Sequence, residues 1–305
     1  MSKILFTGSS GLVGSRVYDL LKDQYDFTTI SLSNPLSDIN LDLTDYNSLV
    51  RAVSDIDFNL IYHFAGFTAV DEAELQREDN KGTCYINNVL ATDNLIKVAN
   101  DKNAKIVFIS TDFVFNGKNG PYKEGDKTGS VSDLSWYGWT KKVAEDHLLQ
   151  SGNKHQIIRI SYPFRNNFSK GDFARDIISK MNSNSLYPLF NDQFITPTFV
   201  DSIADFLSFS LSHKLTGIYH IASSDVVTPY SFAQSISQTF NIEYKIDQGS
   251  ILDFQKNFPT KAKRPINGGL NTKKVQALKF PILTSNEYLQ ILKTQLNSKS
   301  DKISK

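Results

Sequence analysis

Short apolar runs alternate with amphipathic stretches through the first half of the chain, and this alternation predicts strands joined by helices. Lys3 to Phe6 predicts a strand, and Gly14 to Leu21 opens a helix. Phe27 to Leu32 predicts a second strand, Leu49 to Val53 sits in another helix, and Leu60 to Phe64 reads as a third strand. Tyr85 to Ala99 has helical spacing, with Leu90, Leu95, Ile96 and Val98 apolar. Lys105 to Ser110 is again a strand, Tyr137 to Leu149 a helix and Gln156 to Ser161 the next strand. Strands joined by helices pair in parallel through right-handed crossovers. The expected fold class is therefore α/β, a doubly wound parallel sheet covered on both faces.

The pattern changes after Pro163, where Asn, Ser, Phe and Pro punctuate shorter elements. A strand returns at Gly217 to Ile221, and a helix starts near Pro229, capped by Thr228. The expected organisation is a nucleotide-binding domain over 1–163, its sheet completed by elements around 196–222. A smaller interleaved α+β substrate lobe follows over 164–296. Residues 297–305 are mostly Ser, Lys and Asp and are expected to be a solvated, disordered tail.

The 305 residues are 40% hydrophobic and 21% charged, with a formal net charge of +1, so neither nucleic acid nor a membrane surface is an expected partner. A single cysteine, Cys84, excludes an internal disulfide and a cysteine-based zinc site. The five histidines have no metal-ligand spacing, so no metal is expected. The N-terminal residues lack a signal-peptide pattern, and no run approaches the about 18 apolar residues of a membrane span. The expected location is cytoplasmic.

Thr7-Gly8-Ser9-Ser10-Gly11-Leu12-Val13-Gly14 lies between the first strand and the first helix. Gly8 suits a tight turn, Gly11 a close approach of backbone to a pyrophosphate, and Gly14 close packing of helix on sheet. Backbone N–H groups at the helix start then bind phosphate. The context is that of a Rossmann dinucleotide site. Its ribose-reading residue belongs at the end of the second strand, at Ser31-Leu32-Ser33-Asn34, where no carboxylate stands. An acid there would repel a 2′-phosphate, so the reading leans to NADPH over NADH, with Arg16 as the candidate phosphate partner. Asp42 and Leu43 are candidates to flank the adenine.

Tyr137 and Lys141 stand four apart, on one face of the expected helix. A lysine cation beside a phenol favours the phenolate and brings its pKa down from roughly 10 toward neutrality. Tyr137 is then a candidate proton donor to a carbonyl that accepts hydride, and Lys141 a candidate to hold the nicotinamide ribose. Thr111 ends the strand Lys105 to Ser110 at the sheet edge where such folds bind ligands, and its hydroxyl suits orienting a carbonyl. Some phenylalanines near Phe164, Phe168 and Phe173 are candidates to line the pocket. His63 reads as a buried strand histidine, and Glu72 and Glu74 as a solvated helix start.

These segments carry a likeness. The chain resembles the extended short-chain dehydrogenase/reductases and, within them, the dTDP-4-dehydrorhamnose reductases. The likeness runs from Lys3 to about Leu278 through Thr7–Gly14, Phe67-Thr68-Ala69-Val70-Asp71-Glu72-Ala73-Glu74, Ser110-Thr111-Asp112-Phe113-Val114-Phe115-Asn116-Gly117 and Tyr137-Gly138-Trp139-Thr140-Lys141. It continues in Asn191–Thr198 and Arg264–Asn271. The resemblance implies a catalytic Thr111, Tyr137 and Lys141. It implies cofactor contacts from Phe64, Ala65, Gly66 and Thr68, and a substrate pocket that draws on Val70, Phe113, Tyr162, Gln193 and Arg264. Arg264 suits a diphosphate, which guanidinium binds in a bidentate way. The implied reaction is NAD(P)H-dependent reduction of a nucleotide-linked 4-keto-6-deoxysugar; a homodimer stays open.

Phe113 stands where those reductases usually carry Tyr, Tyr162 where they often carry Trp, and Phe64 where Ala is usual. These departures leave the sugar undefined. Two other readings stay open: a sugar-nucleotide epimerase with retained NAD, and a non-catalytic NADP-binding regulator like the beta subunit of methionine adenosyltransferase. A dehydratase is disfavoured, because Asp112 is followed by Phe113 rather than by a second acid.

Overall fold

The computed structural model describes residues 2–303. Strand β1 (Lys3–Thr7) alternates its side chains between two cores: Ile4 and Phe6 face one, Leu5 the other. Helix α1 (Leu12–Leu21) follows, then β2 (Asp26–Ser31), the short β3 (Ile39–Asn40), α2 (Tyr46–Val53) and β4 (Leu60–His63). The chain continues through α3 (Val70–Glu74) and α4 (Thr83–Tyr85) into a π-helical turn (Ile86–Leu90) and α5 (Ala91–Lys102). After these come β5 (Lys105–Thr111), α6 (Trp136–Gln150) and β6 (His155–Ile160).

These strands form a parallel sheet in the order β10-β6-β5-β4-β1-β2-β3, where β10 is Gly217–His220. The central strands are covered by helices on two faces, and β4, Leu60-Ile61-Tyr62-His63, is buried along its whole length. The order reverses between β1 and β4, and ligands of such sheets bind at the carboxyl end of that switch point. One face is closed by α1 and by α8 (Val200–Ser212), whose Ile203, Phe206 and Leu207 pack on Phe6 and Tyr62. The other is closed by α2, α5 and α6 through Leu49, Leu95, Val98, Ala144 and Leu148.

The second half interleaves with this sheet. Strand β7 (Pro163–Phe164) pairs with β9 (Thr198–Phe199), and β8 (Leu189–Phe190) with β11 (Gln248–Gly249). Helices α7 (Phe173–Asn182), α9 (Pro229–Phe240) and the C-terminal α12 (Ser285–Ile303) share a separate core of Phe164, Ile177, Met181, Phe199, Phe232 and Leu289. Thr228 caps α9 through Ser231 N, as its sequence signature predicts. The short helices α10 (Ile251–Asn257) and α11 (Lys273–Ala277) carry the chain back toward the cleft and the sheet. The expected tail from 297 falls on the end of α12 as far as Ile303, and beyond that outside the described residues. Among the described residues no helix is long and apolar enough to cross a membrane.

Candidate active site

The glycine turn meets β4 at the switch point. Gly8 has φ +76°, and a side chain there would run into the backbone of Phe64 and Ala65. At Gly14 a side chain would collide with the carbonyl of Gly8, so the helix start can lie this close to the strand end only without one. Above them opens a cavity of about 790 Å³. Its walls include Gly8, Ser10, Gly11, Leu12, Val13 and Gly14 from the turn, and Phe64, Ala65, Gly66, Thr68 and Val70 from the segment after β4. At one end stand Ser31, Asp42 and Leu43; at the other, Thr111, Phe113, Tyr137, Lys141, Tyr162 and Arg264. Ser110 Oγ is buried in this wall without a partner among the described residues, as suits a polar ligand group lying across it. The length of this cavity and the glycine turn along it suit a dinucleotide.

Helix α6 presents the Tyr–Lys pair because its start is fixed twice. Ser135 accepts from Gly138 N (3.1 Å), and Glu74 accepts from Trp136 N (2.8 Å) while pairing with Arg77 (2.6 Å). Glu74, expected to be solvated, is thus a cap for α6, with a side chain only 12% exposed. Lys141 Nζ lies 3.8 Å from the centre of the Phe108 ring. Burial dominates both members of the pair. It pushes the Lys141 amine down to about 7, and it holds the Tyr137 phenol above its usual range, with the Asp112 charge acting the same way. The expectation that Lys141 pulls the phenol down is thus revised for the protein without ligands. The Thr111 hydroxyl alone favours the phenolate.

Several residues stand elsewhere than expected. Arg16 does not line the cavity: its Nε and Nη2 each donate to Asp201 at 2.6 Å, tying α1 to α8. This removes it as a free cation for a 2′-phosphate. Ser9 is buried in the turn and does not line the cavity either. Gln193 is 1% exposed and does not line the cavity; its Nε2 donates to the Tyr162 hydroxyl and to the Pro265 carbonyl, both at 3.0 Å. Gln193 therefore positions Tyr162, whose backbone is held at φ +43°, a strained value for a tyrosine. Phe164 lies in the lobe core, Phe173 packs edge-on against Tyr162 (4.8 Å) and Phe168 lies under Arg165; none lines the cavity. His63 is buried between the Thr7 and Thr92 hydroxyls at 2.9 Å each, and burial lowers its pKa to about 3.

Three supporting residues carry no sequence signal of their own. Asn88, 1% exposed on the π-helical turn, accepts from Phe67 N (2.8 Å) and donates to Phe67 O (3.1 Å) and Thr140 Oγ1 (2.9 Å). It clamps the segment after β4 to the helix of Tyr137 and Lys141, and a π-turn at a functional site is a recurrent device. Asp71 holds Arg264 by a 2.9 Å bond. Arg165, from the loop after β7, donates to Leu12 O (3.1 Å) and Ser15 Oγ (2.7 Å), so it braces the glycine turn. Among the described residues no cluster of His, Cys, Asp and Glu could hold a metal.

Turn, cleft and helix pair together define a class, the NAD(P)-dependent oxidoreductases of the extended short-chain type. Within that class the chain belongs to the RmlD substrate binding domain family, whose model matches residues 2–297. A dTDP-4-dehydrorhamnose reductase of Aggregatibacter actinomycetemcomitans is 28% identical over 290 residues, 90% of this chain and 92% of that one. The crystal structure of dTDP-4-dehydrorhamnose reductase from Bacillus anthracis in complex with NADP shares the fold at a TM-score of 0.85, with 23% identity and coverage of 97% and 100% of the two chains. A dTDP-4-dehydrorhamnose reductase structure from Clostridium acetobutylicum gives 0.84, at 25% identity and coverage of 97% and 99%.

Proposed function

We propose that this protein reduces the 4-keto group of a nucleotide-linked 6-deoxysugar with a nicotinamide cofactor. The observation that carries the reading is one continuous cavity with a dinucleotide cradle along its floor, Thr111 and Tyr137 in one wall and Arg264 at its substrate end. A reduced nicotinamide held along the glycine turn would supply hydride. Tyr137, kept protonated by its burial, gives its phenolic proton to the oxygen that gains charge as the carbonyl is reduced. Phe113, edge-on to Tyr137 at 5.9 Å, keeps water from that side of the phenol. Lys141 is placed to hold ribose hydroxyls, with a proton it can release near neutrality. Arg264 holds the diphosphate, and Tyr162, fixed by Gln193, packs on the sugar.

Cofactor preference follows from the far end. No carboxylate stands in Ser31–Asn34 at the end of β2, Asp42 lines the same end of the cavity, and the expected cation, Arg16, is engaged by Asp201. The chain accepts both NADPH and NADH. The test is a panel of 4-keto sugar nucleotides, each offered with both cofactors and followed by loss of reduced-nicotinamide absorbance. Turnover supports the reading. Tightly retained NAD with inversion and no net oxidation would replace it with an epimerase, and no turnover with altered kinetics of a partner enzyme would replace it with a regulator.

A further inference from the structure

Thr111 has one hydroxyl hydrogen and two lone pairs. In this structure the hydrogen goes to Asp112 Oδ1 (3.2 Å), and one lone pair accepts from Phe113 N (3.3 Å). The same hydrogen can turn instead to the Tyr137 oxygen, where it favours the phenolate, so Asp112, Tyr137 and an incoming carbonyl compete for it. A carbonyl oxygen on its way to an alkoxide needs hydrogens around it, not lone pairs. While the Asp112 carboxylate holds that hydrogen, Thr111 does not donate to a substrate.

The obstacle is Asp112, which lines the cavity and is 3% exposed. Its other oxygen accepts from Ser161 Oγ at 2.7 Å. Among the described residues no lysine, arginine or histidine bonds it. The groups that face it are the hydroxyls of Thr111 and Ser161, the N–H of Phe113, and two phenols, Tyr137 from α6 and Tyr162 from the segment after β6, which feel its charge. A carboxylate so stripped of water and given only neutral donors takes up a proton readily, at about pH 6 here.

We propose that Asp112 is a proton-holding positioning residue: on taking up one proton it donates to Thr111 Oγ1, frees the Thr111 hydrogen for the substrate carbonyl, and so couples binding of the carbonyl substrate to uptake of a proton. The balance is simple. A solvent proton adds to the carboxylate and forms one O–H bond. The Asp112 hydroxyl and Phe113 N–H then occupy both lone pairs of Thr111, whose own hydrogen swings to the substrate oxygen. No bond to carbon changes, and the proton that ends on the product oxygen still comes from Tyr137. The inference rests on the reductase reading of the cleft.

The test is Asp112→Asn, with its carbonyl on Ser161 and its NH2 on Thr111, a permanent stand-in for the neutral acid. In the wild type the KM for the 4-keto sugar nucleotide should rise by about tenfold per pH unit above the Asp112 titration, since one proton is linked to binding. In Asp112→Asn that slope should vanish. Ser161→Ala removes a donor from the carboxylate but keeps the acid, so the slope should persist and start at higher pH. A merely structural Asp112 would not move a pH slope. Independently of activity, the infrared carbonyl band of a protonated carboxylic acid should fade as the substrate-free wild type is taken from pH 5 to 7, and be missing in Asp112→Asn. A wild-type slope retained in Asp112→Asn, or an acid band unchanged by that substitution, overturns the proposal. A titrating Asp112 band without turnover of any ketone sugar nucleotide overturns the reductase reading, and the proposal with it.

Discussion

Arg264 Nη2 donates to Asp71 Oδ2 across 2.9 Å, although 193 residues separate them in sequence. The bond ties the arginine at the Tyr137 end of the cavity to the helix that follows β4. Asp71 also accepts from Ala262 N (3.1 Å), so it fixes both the backbone and the side chain of that strap. Asp71→Asn should therefore raise the KM for the nucleotide sugar by about tenfold, the order of one charge-assisted hydrogen bond, and leave the KM for cofactor nearly unchanged. Steady-state kinetics with each ligand varied checks this; a rise for the cofactor alone would show that Arg264 does not serve the substrate.

Gln193 and Tyr162 should act as a unit. If Gln193 works only by holding the Tyr162 hydroxyl, Gln193→Ala and Tyr162→Phe will each weaken sugar-nucleotide binding several-fold. The double variant will then be little worse than either alone. Additive losses in that cycle would place Gln193 directly on the substrate.

Arg16→Ala separates structure from cofactor choice. The pair with Asp201 is mostly buried, with side chains 15% and 13% exposed. Its loss leaves Asp201 without its cation and should lower the melting temperature. The ratio of kcat/KM for NADPH to that for NADH should not change, because Arg16 is already committed. A selective loss of NADPH use would restore it as a 2′-phosphate ligand.

Acid should unfold the protein through its buried histidines. Burial lowers His63 and His220 from 6.5 to about 3 in the fold. Between those values the unfolded chain binds more protons, so stability rises with pH and is lost as pH falls below 6.5. The loss is roughly 1.4 kcal/mol per pH unit for each histidine. Asp112, raised to about 6, opposes this between 3.8 and 6. Urea unfolding midpoints from pH 7 down to 4 should fall steadily, and fall less in His63→Gln. A flat profile would contradict the burial of neutral histidines.

What was legible in the sequence was local. The strand–glycine turn–helix unit, the Tyr137–Lys141 spacing and the end of β5 at Thr111 are each set within a few residues, and the cavity brings all three together. What was not legible depends on partners far away in the chain. Arg16 reads as a free cation because Asp201 lies 185 residues on, and Gln193 reads as a ligand because Tyr162 is hidden from it by 31 residues. Glu74 looks solvated until Trp136 is seen to need its carboxylate. The π-turn at Asn88 leaves no trace in helical periodicity, since its neighbours keep an ordinary apolar spacing. Helices α7 and α8 pack into two different cores, α7 against α9 and α12 and α8 against α1 and the sheet, and both faces are completed by residues distant in the chain.

In the proposed reaction the Tyr137 phenol delivers the proton to the reduced carbonyl. Tyr137→Phe keeps the ring and the packing on Phe113 but removes that proton. With a 4-keto sugar nucleotide turned over by the wild type, the variant should bind NADPH with nearly unchanged affinity and lose about 10²–10⁴ in kcat. A variant that reduces the same substrate at the wild-type rate would contradict the account.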